Sequence, residues 1–497
     1  MKNTLQCRNW ISRMRLPAAS AALALAAVLL PAVITTQSVQ AQTFTDLVDF
    51  NGTDGGRPEY ASLVQSTDGN LYGVTPVDGT HGGGTVFKIS TSGTLTTLYN
   101  FCARHNCTDG EGPYGALVQA ANGNFYGTTD GGGANGAHYG TVFKITPSGT
   151  LKTLYSFCTQ SGCTDGSGPF GGLVQATTGI FYGTTVGGGA YGYGTVFKIT
   201  LSGTLTTLYS FCSQMITDCT DGAQPWAGLV QGSDGNFYGT TQLGGTAGAG
   251  TAFKITPSGT LTTLHSFCSQ SFCADGVQGY AGLVQATNGN FYGTTYLGGA
   301  NNAGTVFQLS SGGTLTTLYN FCVQIGCTDG QAPSTALVQA TDGSLYGTAG
   351  GGSEGYGEVF KITPTGTLTT LYNFCGQQGC PVGPSATLVQ ATDGNFYGTA
   401  GAGGVDGDGS VFSLSVGLGP FVETQPTAGK VGAAVKILGT SLTGATSVSF
   451  NGTAATFTVV SSSEITTTVP AGATSGKVKV VTSSGTLTSN VKFRVTP

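Results

Sequence analysis

Seven positions of matching spacing have side chains that could meet a ligand. Three residues ahead of each Leu-Val-Gln triplet stand Tyr60, Tyr114, Phe170, Trp226, Tyr280, Ser334 and Ser385. Aromatic planes suit sugar rings and apolar side chains, and tyrosine and tryptophan add a polar edge. Packing between repeated units explains such a slot at least as well, because every unit has one. The change to serine in the last two units argues for ligand binding at Tyr60, Tyr114, Phe170, Trp226 and Tyr280. It would open one side of any ring they formed.

Other chemistry is thinner. Asp78, His81, Arg104, His105, Glu111, Asp130 and His138 crowd the loops of the first two units. They would suffice for a hydrolase or lyase, although solvated loop charge is the plainer reading. Gly351-x-Ser353-x-Gly355 has nucleophile-elbow spacing but no strand-turn-helix context. Gly131-x-Gly133-x-x-Gly136 matches a dinucleotide fingerprint with no helix after it. With 84 glycines in 497 residues, both matches are expected accidents. Asp54, Asp109, Asp165, Asp221, Asp275 and Asp329 each precede glycine and read as turn caps. Loop-bound calcium is the alternative. Asp406-Gly-Asp408-Gly-Ser410 is half a calcium loop without the distal acid. No cofactor is expected beyond that calcium candidate, and no catalytic residue is assigned.

Cysteine spacing sets the compartment. Cys102/Cys107, Cys158/Cys163, Cys212/Cys219, Cys268/Cys273, Cys322/Cys327 and Cys375/Cys380 are local pairs. The equivalent loop at 51–57 lacks both members, and gain or loss as a pair suggests six disulfides formed in an oxidising compartment. Zinc would need the thiolates of different units to converge, or histidines beside them.

These residues are carried by a repeat. Leu-Val-Gln begins at Leu63, Leu117, Leu173, Leu229, Leu283, Leu337 and Leu388, a period in the range of repeat architectures. The second unit holds four strand-like runs: Leu117–Ala120, Asn124–Thr129, Gly140–Ile145 and Thr150–Phe157. They are rich in Val, Phe, Tyr, Leu and Thr. Asn-Gly or Asp-Gly turns join the first two, and Thr-Pro-Ser-Gly joins the last two. Such a meander cannot cover both its faces alone, so units must stack. A fourth-type strand, Thr43–Phe50, precedes the first unit, and the last unit stops after its third strand, Val411–Leu414. Surplus matches deficit. The expected fold is an all-β, seven-bladed β-propeller closed by the N-terminal strand and followed by an immunoglobulin-like β-sandwich.

Domain limits follow from composition. Residues 1–41 read as a signal peptide: Lys2, Arg8, Arg13 and Arg15, an apolar run, then Val39-Gln40-Ala41. The propeller spans 42–417 and the sandwich 418–497. No later segment approaches the ~20 apolar residues of a membrane span. Residues 42–417 hold 8 Lys and Arg against 21 Asp and Glu, a formal −13. That balance disfavours nucleic acid.

The recurring unit LVQA…GNFYGTT…GTVFKITPSGTLTTLYNF resembles the GloVer tandem repeat of secreted, "choice-of-anchor" bacterial proteins. More loosely, it is similar to the propeller repeats of bacterial two-component regulators. Gly439-Thr440-Ser441-Leu442, Val448-Ser449-Phe450-Asn451-Gly452 and Val469-Pro470 resemble an IPT/TIG domain. The resemblance implies export and an interaction module, and it supplies no catalytic residues. The expected function is a non-enzymatic, secreted or cell-surface module that binds an extracellular glycan or protein. A polysaccharide hydrolase or lyase using the loops of units 1 and 2 is the alternative, as is a spacer without ligand.

Overall fold

The computed structural model describes residues 42–60, 62–136, 138–213 and 219–496. The expected signal peptide lies outside them. In the second unit the strands are Val118–Gln119, Phe125–Thr129, Thr141–Ile145 and Leu151–Ser156, antiparallel and in sequence order. The first strand is only two residues long, because the chain enters it from a loop that pairs elsewhere.

Six such four-stranded sheets occupy units 1 to 6. A seventh sheet joins both ends of the array: Thr43–Asp49 pairs antiparallel with Ser410–Ser415, which pairs with Phe396–Gly403. An additional strand, Pro381–Pro384, lies beside Phe396–Gly403. The leading strand therefore supplies the fourth strand that the last unit lacks.

Neighbouring sheets share their cores. Tyr72, Val86 and Phe101 of unit 1 pack with Leu117, Phe125 and Phe143 of unit 2. The same pattern runs round to Leu63, Leu71 and Phe87, which pack with Ala391, Tyr397 and Val411 of the last unit. The result is a closed, propeller-like circuit whose core lies between sheets. One glycine shows how tight this is. A Cβ on Gly127 would sit 2.6 Å from the Phe143 ring and 2.9 Å from Leu117. Only a missing side chain lets the phenylalanine cross there.

In six of the seven Leu-Val-Gln triplets the glutamine has a role that spacing did not reveal. Its side-chain oxygen accepts a backbone N–H from the preceding unit's turn: Thr67 to Gln119 (3.2 Å), Ser233 to Gln285 (2.8 Å), Thr287 to Gln339 (2.8 Å). The Gln65 oxygen accepts from Thr392 N–H at 2.8 Å across 327 residues, and so clasps last unit to first.

After the circuit comes a tail of two four-stranded sheets and a short parallel pair. Val435, Ile437, Val448, Phe450, Ile465, Val480 and Phe493 form its core. It touches the circuit at the tight turns between first and second strands. The Ser463 hydroxyl donates to Thr67 O (2.9 Å) in unit 1, Thr440 meets Thr392 (3.1 Å) in unit 7, and Arg494 donates to Ser233 O in unit 4.

Candidate functional site

The loops opposite the tail are stitched in pairs. Each disulfide loop bridges to the glycine loop of the following unit: Glu111 with Gly131, Ser167 with Gly187, Ala223 with Leu243, Val277 with Leu297. Gly133 N–H also donates to Cys107 O, and Gly189 N–H to Cys163 O, at 2.9 Å each. All six cysteine pairs are disulfides: Cys102–Cys107, Cys158–Cys163, Cys212–Cys219, Cys268–Cys273, Cys322–Cys327 and Cys375–Cys380. With these twelve sulfurs all in disulfides, the zinc alternative has no thiolates among the described residues.

The repeated aspartates are caps. Asp109, Asp165, Asp221, Asp275 and Asp329 are all buried. Asp109 accepts from Tyr99 OH (2.7 Å) and from the N–H groups of Ala103 and Arg104. Asp165 does the same with Tyr155, Thr159 and Gln160. Burial pushes the Asp165 carboxyl up, but donors led by Tyr155 outweigh it and hold the group below its ordinary range. In unit 4 the tyrosine is His265, 2.8 Å from Asp275. Asp54 differs, accepting from Asn51 N–H at 2.9 Å.

The seven slot residues do meet. Tyr60, Tyr114, Phe170, Trp226, Tyr280, Ser334 and Ser385 line one cavity of about 580 Å³, walled between them by Gly, Ala, Leu and Thr. Tyr114 and Phe170 stack (4.6 Å between centroids, 23°), Phe170 leans on Trp226 (4.4 Å), and Trp226 meets Tyr280 edge-on (5.9 Å). Tyr296, from a glycine loop, extends the arc against Tyr280 (5.3 Å) and was not foreseen. Tyr60 is 50% exposed. Opposite the arc lie the two serines. Among the described residues, Trp226 Nε1 and Ser385 Oγ are buried without a hydrogen-bond partner.

A second cavity, about 240 Å³, shares Tyr114 with the first and is also lined by Glu111, Asp130 and His138. Burial first, and then the charge of Glu111, pushes the Asp130 carboxyl up to about 6, with His138 pulling the other way. Asp78, His81, Arg104 and His105 do not line either cavity.

The Gloeobacter/Verrucomicrobia repeat matches residues 32–176, 159–327 and 323–452. The chain belongs to this repeat family. Its tail matches the IPT/TIG domain at residues 422–495. No curated protein matches the chain. Among solved structures, this Gloeobacter/Verrucomicrobia repeat protein is similar to a fungal alcohol oxidase of the AA5 family in complex with copper. There the TM-score is 0.50 and the identity 14%, over 92% of this chain and 99% of that one. It is also similar to virginiamycin B lyase from Staphylococcus aureus: TM-score 0.48, 15% identity, over 76% of this chain and 99% of that one. At such identities the oxidase likeness speaks to fold alone. Six disulfides and an IPT/TIG domain fit an extracellular protein. Among the described residues no helix is long and apolar enough to cross a membrane.

Proposed function

We propose that this is an exported, non-enzymatic binding protein. Residues 1–41 are its signal peptide, 42–417 a seven-bladed β-propeller closed by its N-terminal strand, and 418–497 an immunoglobulin-like sandwich. The ligand is an extracellular glycan, or a protein segment of similar shape, taken at the mouth of the central channel. One observation carries the reading. Seven separated positions meet in one cavity, five of them aromatic and two serine. A concave, mostly apolar site with a few polar groups is what a small ligand or sugar needs.

The test is binding to a broad glycan array, with and without calcium, beside a Tyr114→Ala/Trp226→Ala variant. In a Trp10→Phe background Trp226 is the only tryptophan, so its fluorescence reports on the mouth directly. Binding that the variant loses supports the reading. Silence across the array, with unchanged fluorescence, reduces the aromatic arc to packing and leaves a spacer.

A second reading has its own observation. Glu111, Asp130 and His138 share a pocket beside the mouth, and a carboxyl raised to about 6 suits a general acid. Turnover of a polysaccharide that is lost in Glu111→Gln would favour a hydrolase or lyase.

A further inference from the structure

The pocket beside Tyr114 is a departure from the repeat. Glu111 occupies the place held by Ser167, Ala223, Val277 and Gln331 in later units. Asp130 occupies the place held by Val186, Gln242 and Tyr296. A unit copied elsewhere with neutral residues carries two carboxylates only here.

The frame around them is rigid. Glu111 and Gly131 exchange both backbone hydrogen bonds at 3.0 Å. Gly112 N–H donates to Gly83 O (3.0 Å), and Asp130 N–H to Gly112 O (2.9 Å). The carbonyls of Gly83, Glu111, Gly112 and Gly131 each accept one of these N–H groups, which fixes their direction. No lysine or arginine lines the pocket, and its one basic group, His138, is exposed.

Three classes of occupant can be compared. Calcium takes six to eight oxygen ligands, and the lining side chains bring only two carboxylates. A neutral hydroxyl leaves the repulsion between Glu111 and Asp130 in place. A protonated amine relieves it, offers three donors, and is attracted to an aromatic face. Phe170 covers one face of Tyr114, and the same ring borders the pocket.

We propose that this pocket is a subsite for a protonated amine, so that the ligand of the channel mouth is a glycan bearing free amino groups. The inference rests on the channel-mouth reading. Through Tyr114 the two cavities adjoin, so sugar rings can lie against the aromatic arc while an amine reaches Glu111 and Asp130.

The experiment is calorimetric titration of the full chain with a glucosamine hexasaccharide and, separately, its fully N-acetylated counterpart. The amine form binds about tenfold tighter. A Glu111→Gln/Asp130→Asn variant, checked for fold by circular dichroism, loses that preference but keeps its affinity for the acetylated form. Affinity for the amine form also rises as pH climbs to about 6, where Asp130 ionises, a change that Glu111 opposes and His138 favours, and falls again once the sugar amines lose their protons. Equal affinities in the wild type, or a preference that survives the variant, overturn the inference. If the acetylated form still quenches Trp226, the channel-mouth reading stands without it. If neither sugar binds, both fall. Calcium binding that the double variant abolishes would make this a metal site, and hydrolysis of either sugar would make it catalytic. Each result overturns the amine subsite.

Discussion

Units 1 to 5 and units 6 and 7 share one scaffold but differ at the channel. In unit 5, Thr295 and Thr305 join second to third strand through their hydroxyls at 2.9 Å, as Thr75 and Thr85 do in unit 1. Unit 6 has Ala349 and Glu358 there, and unit 7 has Ala400 and Ser410. The units that lost the aromatic slot also lost the threonine clasp. The inter-strand packing is kept: Gly347 is crossed by Phe360 as Gly127 is by Phe143. Leu337 and Leu388 pack into inter-sheet cores like their counterparts. Packing between units therefore does not require an aromatic at the slot, since two units manage with serine. That weakens the case for the arc as mere filler.

The comparison can be broken at several points. Trp226→Ala, in the middle of the arc, should cost about 2–4 kcal/mol of binding while leaving the melting temperature within a few degrees. A large fall in stability instead would return the aromatics to a packing role. Next comes the missing clasp. Glu358 is fully buried, its Oε1 has no partner, and burial lifts its carboxyl from 4.5 to about 7. Below about pH 4.5 folded and unfolded chains both hold this proton. Between there and about 7 only the folded chain does, so stability falls as pH rises across that window and stays lower above it. Ala349→Thr/Glu358→Thr should therefore raise stability by on the order of 2–3 kcal/mol at about pH 8 and by much less at about pH 4. Denaturant titration at both pH values checks this, and a gain independent of pH would refute it.

Gly127→Ala and Gly347→Ala take one site from each sector. Both should lose about 1–3 kcal/mol, by similar amounts, because the same phenylalanine crossing is blocked. Unequal losses would mean that the scaffold itself differs between sectors. The smallest effect is expected at Tyr60, which is half exposed at the end of the arc. Tyr60→Ser should weaken binding only about threefold, or roughly 0.6 kcal/mol.

What could be read in advance follows the range of each interaction. Strands, turns and disulfides are local, so their residues announce them. Thr43–Phe50 was legible as the closing strand because the last unit visibly lacked one. The slot was legible because it recurs at a fixed distance from Leu-Val-Gln. Gln65 was not, since its partner Thr392 lies at the other end of the array. The aspartates looked like turn caps, but the ring partner of Asp109, Asp165, Asp275 and Asp329, a tyrosine or His265 ten residues back, needed the strand's register to appear. The meeting of Glu111 with Asp130 depended on which loops bridge, which spacing alone does not tell. Asp78, His81, Arg104 and His105 belonged to the same sequence cluster and lie elsewhere for that reason.

The tail has a last consequence. It holds turns of units 1 and 7 through Ser463 and Thr440, and a turn of unit 4 through Arg494. Those units stand on opposite sides of the circuit, so the tail crosses its axis. It is a strut laid across the circuit, tying sectors that the chain separates by half its length, and it joins last unit to first a second time, beside the pairing of the leading strand.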